Sequence, residues 1–262
     1  MECETVGSEN DQAAFENGYA EGYADGFEDG RTSVSADLKP IKSGGPEVSA
    51  ESTGSFELSG FVLVSEAVPD AILEIRYFST YNFVGERISG YEEPIAFLTK
   101  EAAYALKEAS DDLLQQGYQL KLYDAYRPQS AVEHFKTWAL DLEDTRMKTF
   151  FYPEVDKSAL FAQGYIASRS GHSRGSAVDV TLVDRTTGKD VDMGSPFDYF
   201  GEISHPGYTS GLTKEQIENR NILRDTMLAH GFTAINTEWW HFVLKDEPYP
   251  NMYFDFPVEN PD

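Results

Sequence analysis

A single cysteine, Cys3, in 262 residues leaves nothing for it to bridge within the chain, so no disulfide framework holds this protein. Basic residues are scarce as well. The 21 Lys and Arg stand against 45 Asp and Glu, a formal net charge of -24. Phosphate backbones want Lys and Arg, so this balance excludes nucleic acid as a partner and disfavours anionic membrane surfaces. No apolar run approaches the roughly 20 residues needed to cross a bilayer, and no basic stretch followed by an apolar one opens the chain, so neither a span nor an intact signal peptide is expected. Phosphate-cradling loops of the G-x-G-x-x-G kind are missing too, which removes nucleotide cofactors from consideration.

What is there divides into two parts. Residues 1–56 carry twelve acidic side chains against Arg31, Lys39 and Lys42, with few apolar groups to bury. Within them a four-residue repeat, Phe15-x-x-Gly18, Tyr19-x-x-Gly22, Tyr23-x-x-Gly26, Phe27-x-x-Gly30, would align one aromatic stripe and one glycine stripe on a helix. Glycine costs a helix about 1 kcal/mol relative to alanine at each position, so the segment is read as a disordered acidic tail that becomes helical only when its stripe meets an unknown partner. A linker through Lys42-Ser43-Gly44-Gly45-Pro46 follows. Cys3 at the head of an acidic tether suggests a lipoprotein, so the expected location is the bacterial cell envelope, with the cytoplasm as the alternative. Residues 57–262 form the second part. With 40% hydrophobic and 13% aromatic residues overall, the chain can fill one core of about 200 residues.

In that second part Thr99 is a plausible N-cap for a helix that stops at Gly117, and Gln119–Ala125 reads as a strand. Ser130–Leu140 reads as a second helix. Thr213 and Gln216 make a capping box for a third helix that ends before Gly231, and strands follow at Phe232–Asn236 and His241–Leu244. Helices and strands without regular alternation predict an α+β single domain, a small antiparallel sheet with helices packed on it.

The chemistry is concentrated in two strings, Ser170-Gly171-His172-Ser173-Arg174-Gly175-Ser176-Ala177-Val178-Asp179 and Glu238-Trp239-Trp240-His241. His172 and His241 with Asp179 are three zinc ligands, and three protein ligands leave a fourth position for water. Asp179 sits in an apolar strand, Ala177 to Val183, where an unpaired charge is expensive and a cation would relieve it. Glu238 is the matching general base, and the reaction these groups imply is amide hydrolysis. The other histidines, His134, His205 and His230, have no acid or cysteine at ligand spacing and read as structural.

At this point the residues resemble a family. The two strings are similar to the S-x-H-x-x-G-x-A-x-D and E-x-W-H signatures of the zinc D,D-peptidases. The fuller runs GHSRGSAVDVTL, EWWHFVLKDEPYP and YFDFP resemble its D-alanyl-D-alanine dipeptidase branch, the vancomycin-resistance dipeptidase-like one, from about Glu57 to the C-terminus. The resemblance implies one zinc per chain on His172, Asp179 and His241, with Glu238 as base. It also marks Arg127, in Asp124-Ala125-Tyr126-Arg127-Pro128, and physical reasoning gives that arginine a role in stabilising the oxyanion of the tetrahedral intermediate, against the alternative of a structural ion pair with Asp124. A small D,D-dipeptide substrate carries an ammonium that an acid must meet. Asp198, in Met193-Gly194-Ser195-Pro196-Phe197-Asp198, matches the family's substrate-binding aspartate, and Ser170, Tyr77 and Tyr91 match further substrate contacts. The expected activity is hydrolysis of D-Ala-D-Ala. The alternatives are a D,D-carboxypeptidase or endopeptidase acting on peptidoglycan stem peptides, and a non-catalytic wall- or metal-binding protein on the same fold.

Overall fold

Thr99 ends one strand and starts one helix, and much of the architecture turns on it. In a computed structural model that describes residues 60–261, its side chain accepts from Ala102 N and its hydroxyl lies 2.8 Å from Ser176 Oγ. The tail, its aromatic-glycine repeat, the linker and Cys3 lie outside the described residues. Helix α1 (Lys100–Gln115) runs from this cap and buries Ala102, Ala105, Leu106, Ala109 and Leu113, the 3–4 spacing that puts one stripe against a core. It stops where Gly117 takes φ +92°, a left-handed turn that glycine makes at little steric cost.

Strand β4 (Tyr118–Asp124) follows immediately and pairs antiparallel with β5 (Ala177–Asp184). The sheet continues through β7 (His241–Leu244) to β6 (Phe232–Ala234), both antiparallel, while the two-residue β2 (Ile72–Leu73) adds to the far side of β4 in parallel. A parallel edge on an otherwise antiparallel sheet is a detail that the sequence did not signal, two residues being too few for a pattern. β1 (Phe61–Leu63) and β3 (Phe97–Thr99) make a separate antiparallel ribbon. β5 is buried along all but its last residue, because it is the middle strand and is covered on both faces.

Helix α2 (Gln129–Leu140) begins one residue before its expected start, after Pro128. Its first amides are satisfied from far away: Gln129 N donates to Phe254 O (3.1 Å) and Ser130 N to Asp255 Oδ1 (2.7 Å). Helix α3 (Lys214–Ala229) has the expected capping box, with Gln216 N donating to Thr213 Oγ1 (3.1 Å) and Thr213 N to Gln216 Oε1 (2.8 Å). β6 is shorter than expected, since Ile235 leaves the ladder to line the cavity described below. No helix among the described residues is long and apolar enough to cross a membrane.

One glycine ties this frame to the site. Gly175 has φ +78°, and a Cβ there would fall 2.2 Å from Phe61 Cε1. Phe61 cannot retreat, because it packs edge-on against Tyr126, Phe254 and Phe256 at 5.0–5.5 Å. Gly175→Ala is therefore expected to destabilise the domain by roughly 3 kcal/mol or more, from overpacking and a disfavoured backbone together. Chemical denaturation should show this as a lower midpoint at unchanged slope.

Candidate active site

Strand register assembles the centre of the site. Asp124 on β4 is opposite Asp179 on β5, and Asp179 is opposite His241 on β7, so one row crosses three strands. The β4–β5 register shifts between Leu122 and Asp124, and this bulge around Tyr123 brings Asp124 level with Asp179. His172 enters from a 3₁₀ turn, Gly171–Arg174, capped by Ser170, whose Oγ accepts from His172 N at 3.2 Å.

His172 Nδ1 donates to Ala125 O at 2.7 Å, which fixes the tautomer and leaves Nε2 with a lone pair. That nitrogen lies 3.0 Å from His241 Nδ1 and 3.3 Å from Asp179 Oδ2, and His241 Nδ1 lies 2.9 Å from Asp179 Oδ1. Acceptors facing one another in a buried place are unfavourable unless a cation stands among them. Metal–ligand bonds of about 2.0–2.1 Å in a tetrahedral site put ligand atoms about 3.3–3.4 Å apart, close to what this trio offers. The donor set therefore fits a zinc ion. Among the described residues these three form the one such group.

The charges around the trio point the same way. Burial would raise the Asp179 carboxyl, but the imidazoles of His172 and His241 beside it hold it far below the usual carboxylate range. Burial would lower His241, and the Asp179 carboxylate beside it instead lifts it, so the chain's own field favours positive charge at this point. Glu238 Oε2 is 3.9 Å from His241 Nδ1, and burial raises its carboxyl above the ordinary value although His241 pulls it back. A raised pKa makes a better base near neutrality.

Arg127 is committed on several sides. Its Nε donates to Asp124 Oδ2 (2.9 Å), its Nη2 is 3.6 Å from Asp179 Oδ2, and its guanidinium lies 4.8 Å from the centre of the Tyr77 ring. Arg127 is thus paired with Asp124 and also lines the same cavity as His172, Asp179 and His241. Tyr91 donates to Asp124 Oδ1 at 2.6 Å and stands behind Arg127, outside the cavity lining, so its contact is with the arginine's partner. Tyr77 does line the cavity, and donates to Asp198 Oδ2 at 3.0 Å. Asp198 is buried with φ +61°, the one non-glycine among the described residues in the left-handed region. Burial first, and then the charge of Asp179, push its carboxyl well above the usual range. The cavity measures about 250 Å³ and holds His172, Asp179, His241, Glu238, Arg127, Asp198, Ser170 and Tyr77 on its walls.

One group was missed in the sequence. Arg220, on the buried stripe of α3, donates to Met193 O (2.5 Å), His205 O (3.3 Å) and Ser195 Oγ (3.2 Å). Ser195 Oγ also accepts from the Trp239 indole at 2.9 Å. The loop that carries Asp198 is thereby tied to the turn that carries Glu238. An arginine in register with Leu223 and Met227 was the available signal, since a cation on an apolar stripe must find acceptors. His134, His205 and His230 stay away from the site, His134 against Ser89 and Glu86 and His230 against Asp112.

Fold and site together define a metallopeptidase. More narrowly, the chain belongs to the family described as "D-ala-D-ala dipeptidase", whose model matches residues 57–259. It is 44% identical over 200 residues to a D-alanyl-D-alanine dipeptidase of Enterococcus faecium, covering 76% of this chain and 98% of that protein. It is 42% identical over 200 residues to one of Enterococcus faecalis, with the same coverage, and 40% identical over 198 residues to one of Streptomyces coelicolor, again 76% and 98%.

If the trio is the ligand set, purified protein should carry about one zinc per chain, and His172→Ala or His241→Ala should lose it. Elemental analysis finding undiminished zinc in both variants would refute the assignment.

Proposed function

We propose that the protein hydrolyses the free dipeptide D-Ala-D-Ala. The observation that carries this reading is Asp198, a buried acid with no ion pair among the described residues, on the wall of the same small cavity as three converging candidate ligand atoms. At about 250 Å³ the cavity is below the roughly 300–1,000 Å³ of sites for drug-sized ligands, a size that suits a dipeptide. The names of the relatives agree with it.

His172, Asp179 and His241 would hold the zinc. When bound, the ion supplies Lewis acidity and lowers the pKa of water to about 7. Glu238, raised by burial and adjacent to His241, takes the proton from the attacking water and is placed to return it to the leaving amine. As the carbonyl becomes tetrahedral its oxygen gains negative charge. Arg127, always charged and aimed at the ligand cluster through Nη2, stabilises that charge more than it stabilises the neutral carbonyl. Asp124 and Tyr91 keep the guanidinium from swinging away. Asp198 receives the substrate ammonium, which supplies the positive charge that its burial otherwise lacks, and Tyr77 orients the carboxylate. Ser170 completes the wall beside His172.

Glu238→Gln changes one atom and leaves all three ligands, so zinc should stay bound while turnover falls about a hundredfold or more. Loss of metal, or retained turnover, would show that Glu238 has another role.

The end of the substrate that is read separates this activity from a carboxypeptidase. N-acetyl-D-Ala-D-Ala has no ammonium and would leave Asp198 buried without its partner, at a cost of several kcal/mol, so it should be a very poor substrate. Asp198→Ala should slow cleavage of the free dipeptide and narrow the gap between the two compounds. Equal cleavage of free, acetylated and stem-peptide substrates by the unaltered protein would establish the carboxypeptidase instead.

A further inference from the structure

A dipeptide has two charged ends, and Asp198 would meet one of them. Of the residues lining the cavity only Arg127 and Arg169 carry fixed positive charge. Arg127 is engaged by Asp124, faces Asp179 and lies over aromatic rings. Arg169 is held differently. Its guanidinium sits 5.0 Å from the centre of the Tyr253 ring, and among the described residues it has no carboxylate partner. Arg174, 5.8 Å from the same ring, is by contrast paired with Glu247 at 2.8 Å. In a chain where acids outnumber bases 45 to 21, an arginine lining the cavity that meets no acid among the described residues keeps its N–H donors for a ligand.

We infer that Arg169 binds the C-terminal carboxylate of the dipeptide, an inference that rests on the dipeptidase reading for the identity of the ligand. A guanidinium presents two parallel N–H donors that match a carboxylate, and an aromatic face beneath it holds the fork flat without using those donors. Its backbone is anchored at both sides. Ser168 O accepts from Gln129 Nε2 at 3.1 Å, and Ser170 caps the turn that carries His172. The carboxylate site is thus built into the same short segment as a metal-ligand candidate, which sets the distance from the C-terminal charge to the scissile bond. Asp198 at one wall and Arg169 at another then gauge substrate length by its two charges.

The test compares D-Ala-D-Ala with its C-terminal amide, which lacks the negative charge. In the unaltered protein the amide should be the poorer substrate, mainly through KM. Arg169→Met should raise KM for the free dipeptide and lower kcat/KM by roughly ten- to a hundredfold, with little effect on the amide, and Arg169→Lys should retain part of the preference. Zinc content and melting temperature should not change. Equal losses on both substrates, or a loss below twofold on the free dipeptide, would overturn the inference. Calorimetric binding to Glu238→Gln separates the two claims, because it needs no turnover. Tighter binding of the free dipeptide than of the amide, abolished by Arg169→Met, supports the carboxylate site even if the unaltered protein fails to hydrolyse D-Ala-D-Ala, an outcome that would sink the dipeptidase reading alone. Equal binding of both compounds sinks the carboxylate site even if hydrolysis is robust.

Discussion

The hydrogen-bond ladder between β4, β5 and β7 is the constraint on which the site depends. Neighbouring strands lie about 4.7–4.9 Å apart, and cross-strand partners share a face, so a row of three residues is fixed by backbone bonding before any side chain is placed. Here the row is Asp124, Asp179 and His241. A slip of one residue between β5 and β7 would send Asp179 or His241 to the other face and disperse the cluster. The bulge at Tyr123 has the same standing, because without it Asp124 would sit opposite Val178, on the other face from Asp179. Its ring has a use of its own, stacking on Phe197 at 4.6 Å beneath the Asp198 loop.

Concentrating acid on that scaffold is expensive. Asp179, Asp198 and Glu238 line the cavity with Asp124 buried behind Arg127, and removing carboxylates from water is compensated only by partners. The chain answers with hydrogen bonds wherever the acid is structural. Asp124 receives Tyr91 and Arg127 and faces His172 at 3.5 Å. Asp198, by contrast, receives only the Tyr77 hydroxyl among the side chains described above. The proposed field of the site is thus one that favours positive charge at two places, the His172, Asp179 and His241 trio and Asp198, with Arg169 on the same cavity wall as the inferred place for a negative one.

Local chemistry was legible in the sequence and nonlocal chemistry was not. The Thr99 cap, the Gly117 stop and the Thr213–Gln216 box depend on residues within four positions of each other, and they fall where they were expected. The His172, Asp179 and His241 trio was readable because few residue types can ligate zinc, and Asp179 stood out as a charge in an apolar strand. The α2 cap was hidden because Asp255 provides it across 125 residues. Tyr91 matched a pattern, but only the packing shows that its hydroxyl serves Asp124. Arg220 was hidden for a similar reason: its acceptors are two backbone carbonyls and one serine in other segments, groups that leave no mark in composition.

The backbone of Asp198 has a consequence for attempts to make the protein hardier. An aspartate at φ +61° is strained by on the order of 1 kcal/mol, and glycine at the same place is not. Burying its carboxyl adds a further penalty. Thermal selection blind to turnover would therefore favour glycine at this position and discard the carboxyl proposed to meet the substrate. Stability and the proposed recognition compete at Asp198, in a loop that Arg220 ties down through Met193 O and Ser195 Oγ.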